Sequence, residues 1–159
     1  DMAGYSRLME IDESGTLARL KTHRLELIDP TIERHKGRLI KSTGDGFLAE
    51  FASIDAAAQC ALTIQRRMLR RNYDVPPDRR ILFRMGLNIG DVIVEDGDVF
   101  GDGVNIAARL EQLADIGGIC VSEAVREQLA RQPGFKLEDM GEQLVKSISR
   151  PIRVYRLAV

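Results

Sequence analysis

Two short runs of strand-type residues, 38–43 and 47–51, flank the triplet Gly44-Asp45-Gly46. Both are too short to be helices. Strand-type runs on either side of Gly-Asp-Gly read as a β-hairpin with a tight turn. This places an antiparallel strand pair in the fold before anything else is known. It also puts a charge where a charge is unusual. Asp45 lies between two glycines, so backbone can approach it and little side chain shields it. Lys41 stands four residues earlier on the incoming strand. Taken alone, the stretch fits an ordinary Asp-Gly turn beside a solvated lysine better than it fits a site.

The rest of the chain has to supply the remaining layers. Residues 1–10 open with an acid, then Gly4, then a helical pattern. Asp12, Glu13 and Ser14 can start a longer helix that runs to Ile28, with Leu17, Leu20, Leu25 and Ile28 on one face. Pro30 should kink that helix or restart it after Asp29, and Gly37 should end it. Ser53 is an N-cap for a helix over 54–71, with an apolar stripe at Ala56, Cys60, Ile64 and Met68. Arg66, Arg67, Arg70 and Arg71 sit at the end favoured by the helix dipole. Residues 72–79 form a loop, and 80–90 read as a buried strand with Ile81, Phe83, Met85, Leu87 and Ile89 on one side. Residues 91–95 return, and Asp96-Gly97-Asp98 turns into a helix over 101–114. A short strand at 117–121, a helix from Ser122 to about Leu129, and closing strands at 135–145 and 151–159 complete the chain. Helices alternate with strands, and several strand pairs are hairpins. The expected fold is therefore α+β, a ferredoxin-like sandwich with a mostly antiparallel sheet and helices packed on it. At 159 residues, with no repeat and no linker, one domain over 1–159 is expected.

Composition excludes some functions. The net charge is −1, so no global basic field argues for nucleic acid or an anionic membrane as partner. No apolar run is long enough to span a bilayer, and no signal peptide is visible. Cys60 and Cys120 are far apart inside apolar runs, which suits reduced, buried thiols in a cytoplasmic protein. His23 and His35 lie in a charged helical segment and are expected to be solvated. The chain opens on Asp1, so residues upstream are expected.

Asp1, Asp45 and Asp98 stand at loop-like positions among small residues. Two carboxylates converging from neighbouring strands can hold Mg²⁺ ions for phosphoryl or nucleotidyl transfer. Asp1 and Asp45 qualify only if the segment of Asp1 lies beside the hairpin. Asn105 and Arg109 are spaced i, i+4 on one helix face. An amide with a guanidinium suits a ribose or phosphate group in a transition state. Singly, Asn105 reads equally as a polar residue at a helix start, and Arg109 as a partner of Glu111 or Glu13.

The stretches DMAGYSRLM, IKSTGDGFLAEF, MGLNIGDV and above all DVFGDGVNIAARLE resemble the catalytic domain of class III adenylate and guanylate cyclases. The resemblance runs from Asp1 to about Arg156. It implies a head-to-tail homodimer with sites at the interface, ATP as substrate, and two Mg²⁺ or Mn²⁺ ions per site. It matches Asp1 and Asp45 to the metal aspartates and Met2 to a residue whose carbonyl helps at the metal. It matches Lys41 and Asp98 to the purine-reading pair, and Asn105 and Arg109 to the transition-state pair. Lys146 matches a lysine that contacts the triphosphate. Family members also carry a central strand leading into the first metal aspartate, and that strand is missing from the given sequence.

The implied activity is conversion of ATP to 3′,5′-cyclic AMP and pyrophosphate by attack of the 3′-hydroxyl on the α-phosphate. One alternative is a catalytically silent cyclase-like domain that binds nucleotide or a partner domain. A polymerase-palm relative shares the metal logic but gains nothing from the Asn105/Arg109 helix.

Overall fold

The computed structural model describes residues 1–145 and 148–159. The chain divides into two compact units, Asp1–Phe83 and Arg84–Val159.

The first unit begins with three helical segments. α1 is Tyr5–Ile11, α2 is Glu13–His23 and α3 is Asp29–Arg34. Asp12 caps α2 through a bond from the Gly15 N–H, 3.0 Å. Between α2 and α3 the chain makes a π-helical turn over Arg24–Ile28. Pro30 explains it: without an N–H, Pro30 cannot bond the carbonyl four residues back, and a wider turn absorbs the defect. The restart after Asp29 is as the sequence indicates, but the buried face is not. Thr16, Leu27 and Ile28 are buried, whereas Leu17 and Leu25 are exposed. The inserted π turn rotates the face that a regular 3.6-residue period would have continued. At the end of α3 it is Lys36, with φ 58°, that takes the left-handed conformation. The Gly37 N–H bonds the Ile32 carbonyl at 2.9 Å, the longer bond of a Schellman end. A Cβ on Gly37 would collide with the Phe51 ring, so that glycine is there for space.

β1 (Arg38–Ser42) and β2 (Phe47–Glu50) form the antiparallel hairpin, with Ser42 opposite Phe47 at its last rung. α4 is Ile54–Arg71, capped by Ser53, and buries Cys60, Ile64 and Met68. The segment 80–84 is less regular than a strand. Phe83 makes a single antiparallel bridge to Met2, and the Leu82 carbonyl accepts from Ala3 N–H at 2.8 Å. Two more carbonyls are met by buried side chains: Gln65 Nε2 donates to Phe83 and Asn72 Nδ2 to Ile81, each at 2.9 Å. Side chains of α4 and of its C-cap, Asn72, thus replace part of a sheet ladder, because buried carbonyls must be satisfied.

The second unit holds a four-stranded sheet. β3 is Met85–Leu87, so regular pairing covers only the middle of the expected 80–90 strand, and Ile89 is exposed. β4 (Ile93–Glu95) and β5 (Asp98–Phe100) form a separate hairpin. Its two-residue turn, Asp96 and Gly97, has positive φ at both positions, 50° and 76°, the signature of a type I′ turn. Asp98 is therefore the first residue of a strand, not part of the turn. α5 is Asp102–Leu113, β6 Ile119–Ser122, α6 Glu123–Leu129, β7 Leu137–Gln143 and β8 Ile152–Leu157. The sheet order is β3-β6-β8-β7, with β3 and β6 parallel and the other pairs antiparallel. α5 packs on β3 and β6, and its Leu110 and the C-cap Ala114 form a core cluster with Cys120 and Val154 of the sheet. A Cβ on Gly86 would run into the Ala107 carbonyl and the Glu111 N–H, and Gly90 meets Gly103 as closely. These glycines let the helix backbone lie directly on the strand.

The fold is α+β with a mostly antiparallel sheet, as expected. Both cysteines are free and buried. Burial pushes the Cys60 thiol up to about 12 and the Cys120 thiol up to about 11. The two histidines are half-buried, not solvated. Burial, then the positive charge of Arg71, holds His23 below the usual imidazole value.

Candidate active site

The hairpin tip is built by Thr43. Its N–H donates to the Gly46 carbonyl at 2.8 Å, and its Oγ1 accepts from the Gly46 N–H at 3.1 Å. The single hydroxyl proton of Thr43 has two acceptors within reach, the Gly46 carbonyl at 3.1 Å and Asp45 Oδ1 at 3.3 Å. The Asp45 side chain is thus held by the residue two positions before it. Thr43 carried no notice in the sequence, although a threonine opening a Gly-Asp-Gly loop is a recognisable turn signal.

Asp1 arrives at this tip through main chain. The Met2 N–H donates to the Asp45 carbonyl at 2.6 Å. The Met2 side chain is buried, and its bridge to Phe83 fixes the segment from the other side. The Asp1 carboxylate lies against Gly46, where an added Cβ would stand 2.9 Å from Asp1 Oδ1. The condition set by the sequence, that the segment of Asp1 lie beside the hairpin, is met. The Tyr5 hydroxyl borders the same tip at Gly44.

Among the described residues no three His, Cys, Asp or Glu side chains gather around one point. A metal here would have two carboxylates, with main-chain oxygen and substrate completing its shell. That donor set fits Mg²⁺ or Mn²⁺, which take hard oxygen ligands and are commonly held by one or two carboxylates plus substrate phosphates.

Lys41 is exposed on β1, on the same hairpin as Asp45. Asp98 belongs to the second unit and is exposed on β5, where its Oδ1 accepts from the Val99 N–H at 2.9 Å. Asn105 and Arg109 lie on α5, one turn apart, with Asn105 exposed and Arg109 half-buried. Arg109 Nη1 donates to Gln112 Oε1 at 3.1 Å. Glu111 is engaged instead by Arg84 at 3.2 Å. Gly101, with φ 133°, starts α5 where a side chain would meet the Asp91 carbonyl, so the Gly101 and Gly103 of the FGDG stretch are packing residues. The sequence motif signalled them only as part of a pattern. Lys146 lies outside the described residues. The structure thus brings Asp1, Met2 and Asp45 together in one unit and seats Asn105 and Arg109 on one helix of the other.

Comparison with known proteins places this arrangement in a family. The family described as "Adenylate and Guanylate cyclase catalytic domain" matches residues 1–158. "Putative adenylate cyclase 3" of Rhizobium meliloti (strain 1021) is 45% identical over 155 residues, 98% of this chain and 26% of that protein. An adenylate cyclase of Streptomyces coelicolor is 33% identical over 135 residues, 82% of this chain and 33% of that protein. The chain therefore spans about a quarter to a third of the length of these curated relatives. Among solved structures, an adenylate/guanylate cyclase/hydrolase from Silicibacter pomeroyi superposes with a TM-score of 0.91 at 50% identity, covering 100% of this chain and 92% of that one. The chain belongs to the adenylate and guanylate cyclase catalytic-domain family.

Proposed function

We propose that residues 1–159 form one catalytic domain of an adenylate cyclase, working in the cytoplasm as a homodimer with its sites at the interface between copies. The substrate is ATP and the products are 3′,5′-cyclic AMP and pyrophosphate. The 3′-hydroxyl gives up its proton to solvent and its oxygen bonds to the α-phosphorus, the bond from that phosphorus to the bridging oxygen of the β-phosphate breaks, and pyrophosphate leaves with the electron pair. The observation that carries the reading is the meeting of Asp1 and Asp45 at one hairpin tip, in a chain that also carries the FGDGVNIAARLE block.

Asp1, Asp45 and the Met2 carbonyl would hold two Mg²⁺ or Mn²⁺ ions. When bound, those ions lower the pKa of the 3′-hydroxyl and neutralise charge on the triphosphate. Every remaining task falls to the protein. Asn105 orients the ribose so that the hydroxyl faces the α-phosphate, and Arg109 stabilises charge developing on the phosphoryl oxygens. Lys146 contacts the triphosphate. Lys41 donates to N1 of adenine, and Asp98 accepts from its N6 amino group. No covalent nucleophile is required. Both cysteines are buried with raised thiol pKa values, the opposite of an activated thiolate.

The test is incubation of the full-length protein with ATP and Mn²⁺, followed by separation of the nucleotides. Cyclic AMP and pyrophosphate in equal amounts are expected. In the same assay, mixing Asp45→Ala with Asn105→Ala under conditions of chain exchange should restore activity, because a mixed dimer rebuilds one intact site. Binding of ATP without a cyclic product would make this a silent member of its family. Failure of the mixture to recover would remove the shared site.

A further inference from the structure

We propose that Arg24, on the π-helical turn between α2 and α3, is a positioning residue for the hairpin that carries Asp45. This rests on the reading above that Asp45 binds the metal.

The sequence sets the device up at Pro30. The missing N–H there forces the π turn over Arg24–Ile28, in which the Asp29 N–H bonds the Arg24 carbonyl five residues back. In an α-helix, residues five apart point about 140° away from each other. In a π turn they come onto the same side. Arg24 Nε can therefore donate to Asp29 Oδ1, at 3.1 Å, within its own helical segment. That bond aims the planar guanidinium at the hairpin.

What it reaches is the last rung before the loop. Ser42 and Phe47 are partners at the end of the β1–β2 ladder, and Arg24 touches both. Nη1 donates to Ser42 Oγ at 2.8 Å, and the guanidinium carbon lies 5.7 Å from the centroid of the Phe47 ring, within cation–π range. The Phe47 ring is also held by Phe83, which it meets in an edge-to-face arrangement with centroids 6.4 Å apart. The next residues inward are Thr43 and Gly46, the pair that shapes the tip, and Asp45 between them. A hairpin of two short strands is weak in isolation. Arg24 clamps both strands one rung from the metal carboxylate, so its effect should be on where Asp45 sits as well as on whether the unit folds.

The experiment is a titration of the full-length protein with Mn²⁺ alone, following the loss of the free-ion electron paramagnetic resonance signal, beside a thermal melt of each variant. Arg24→Ala should weaken Mn²⁺ binding about tenfold, with Arg24→Lys partly restoring it, because a lysine keeps the cation over Phe47 but loses the fork to Asp29 and Ser42. Ser42→Ala, at an exposed position that should not unfold anything, should weaken binding about threefold and raise the Mn²⁺ concentration needed for half-maximal cyclic AMP formation while leaving kcat at saturating Mn²⁺ close to wild type. A merely structural Arg24 would lower the melting temperature and leave Mn²⁺ affinity of the folded protein unchanged, and that result overturns the proposal. If Arg24→Ala does not fold, Ser42→Ala decides in the same way. Wild-type protein that binds no Mn²⁺ would remove the metal reading itself and this inference with it. Wild-type protein that binds Mn²⁺ and cyclises ATP, with both variants indistinguishable from it in Mn²⁺ affinity, would remove this inference alone.

Discussion

The main-chain N–H of Met2 donates to the carbonyl of Asp45 over 2.6 Å. The residue after one candidate metal ligand is thus bonded to the other candidate ligand through main chain.

Removing either carboxylate should therefore cost catalysis far more than stability. Asp1→Ala and Asp45→Ala are each expected to lower turnover by about a hundredfold or more, the scale seen when one electrostatic group is taken from a transition-state site. The melting temperature should stay within a few degrees of wild type. If Asp45 were only a turn residue, Asp45→Asn would keep near-normal turnover, and paired activity and melting measurements would show it.

Gly46→Ala makes a sharper case. The new methyl would stand 2.9 Å from Asp1 Oδ1, and the atom in its way is the end of a side chain, which can swing aside. Destabilisation should stay below about 1 kcal/mol, under the usual cost of overpacking a rigid core. Cyclic AMP formation should fall, because the group that moves is the proposed metal ligand. Gly86→Ala is the control: there the obstacle is the backbone of α5, and the loss should appear in the melting temperature.

The base preference should follow Lys41 and Asp98. Adenine offers an acceptor at N1 and a donor at N6, which complement a donor-only lysine and an acceptor-only carboxylate. Guanine reverses both. A mismatched buried donor costs roughly 1–3 kcal/mol, which gives about tenfold to hundredfold discrimination. ATP should be preferred over GTP, and Lys41→Glu with a matching change at Asp98 should shift the ratio of their turnover. A ratio unchanged by the double substitution would take the selector role from these residues.

Acid stability should report on His23. Burial and then Arg71 lower its pKa in the folded protein, while Glu26 pulls the other way and Arg19 adds to the lowering. Below about pH 6.5 the unfolded imidazole takes up a proton that the folded one resists, so the unfolded state binds more protons. The contribution is present above that pH and is lost as pH falls toward the depressed folded value. Thermal melts from pH 7.5 to 5 should show a smaller decline for His23→Gln than for wild type.

Local chemistry made much of this protein legible from its residues. Gly44-Asp45-Gly46 between strand-type runs defined the hairpin, Ser53 and Asp12 marked helix starts, and the i+4 stripe on α4 named its buried face. Each depends on neighbours within a few residues. The FGDGVNIAARLE block was enough for the family. What the sequence could not decide were relations between residues far apart along the chain. Whether Asp1 reaches Asp45 depends on a main-chain bond from Met2, and no local pattern records it. The buried face of the α2–α3 segment turned with a π bulge, so Leu17 and Leu25 face solvent although the 3.6-residue period put them inward. Residues 80–84 are strand-like in pattern, but Gln65 and Asn72 meet their carbonyls. The same holds for Arg24, an unremarkable charge in the sequence until the turn forced by Pro30 aims it at Ser42 and Phe47. Periodicity and turn chemistry are properties of adjacent residues, whereas the placing of a carboxylate is settled by which distant backbone and side-chain groups satisfy one another's hydrogen bonds.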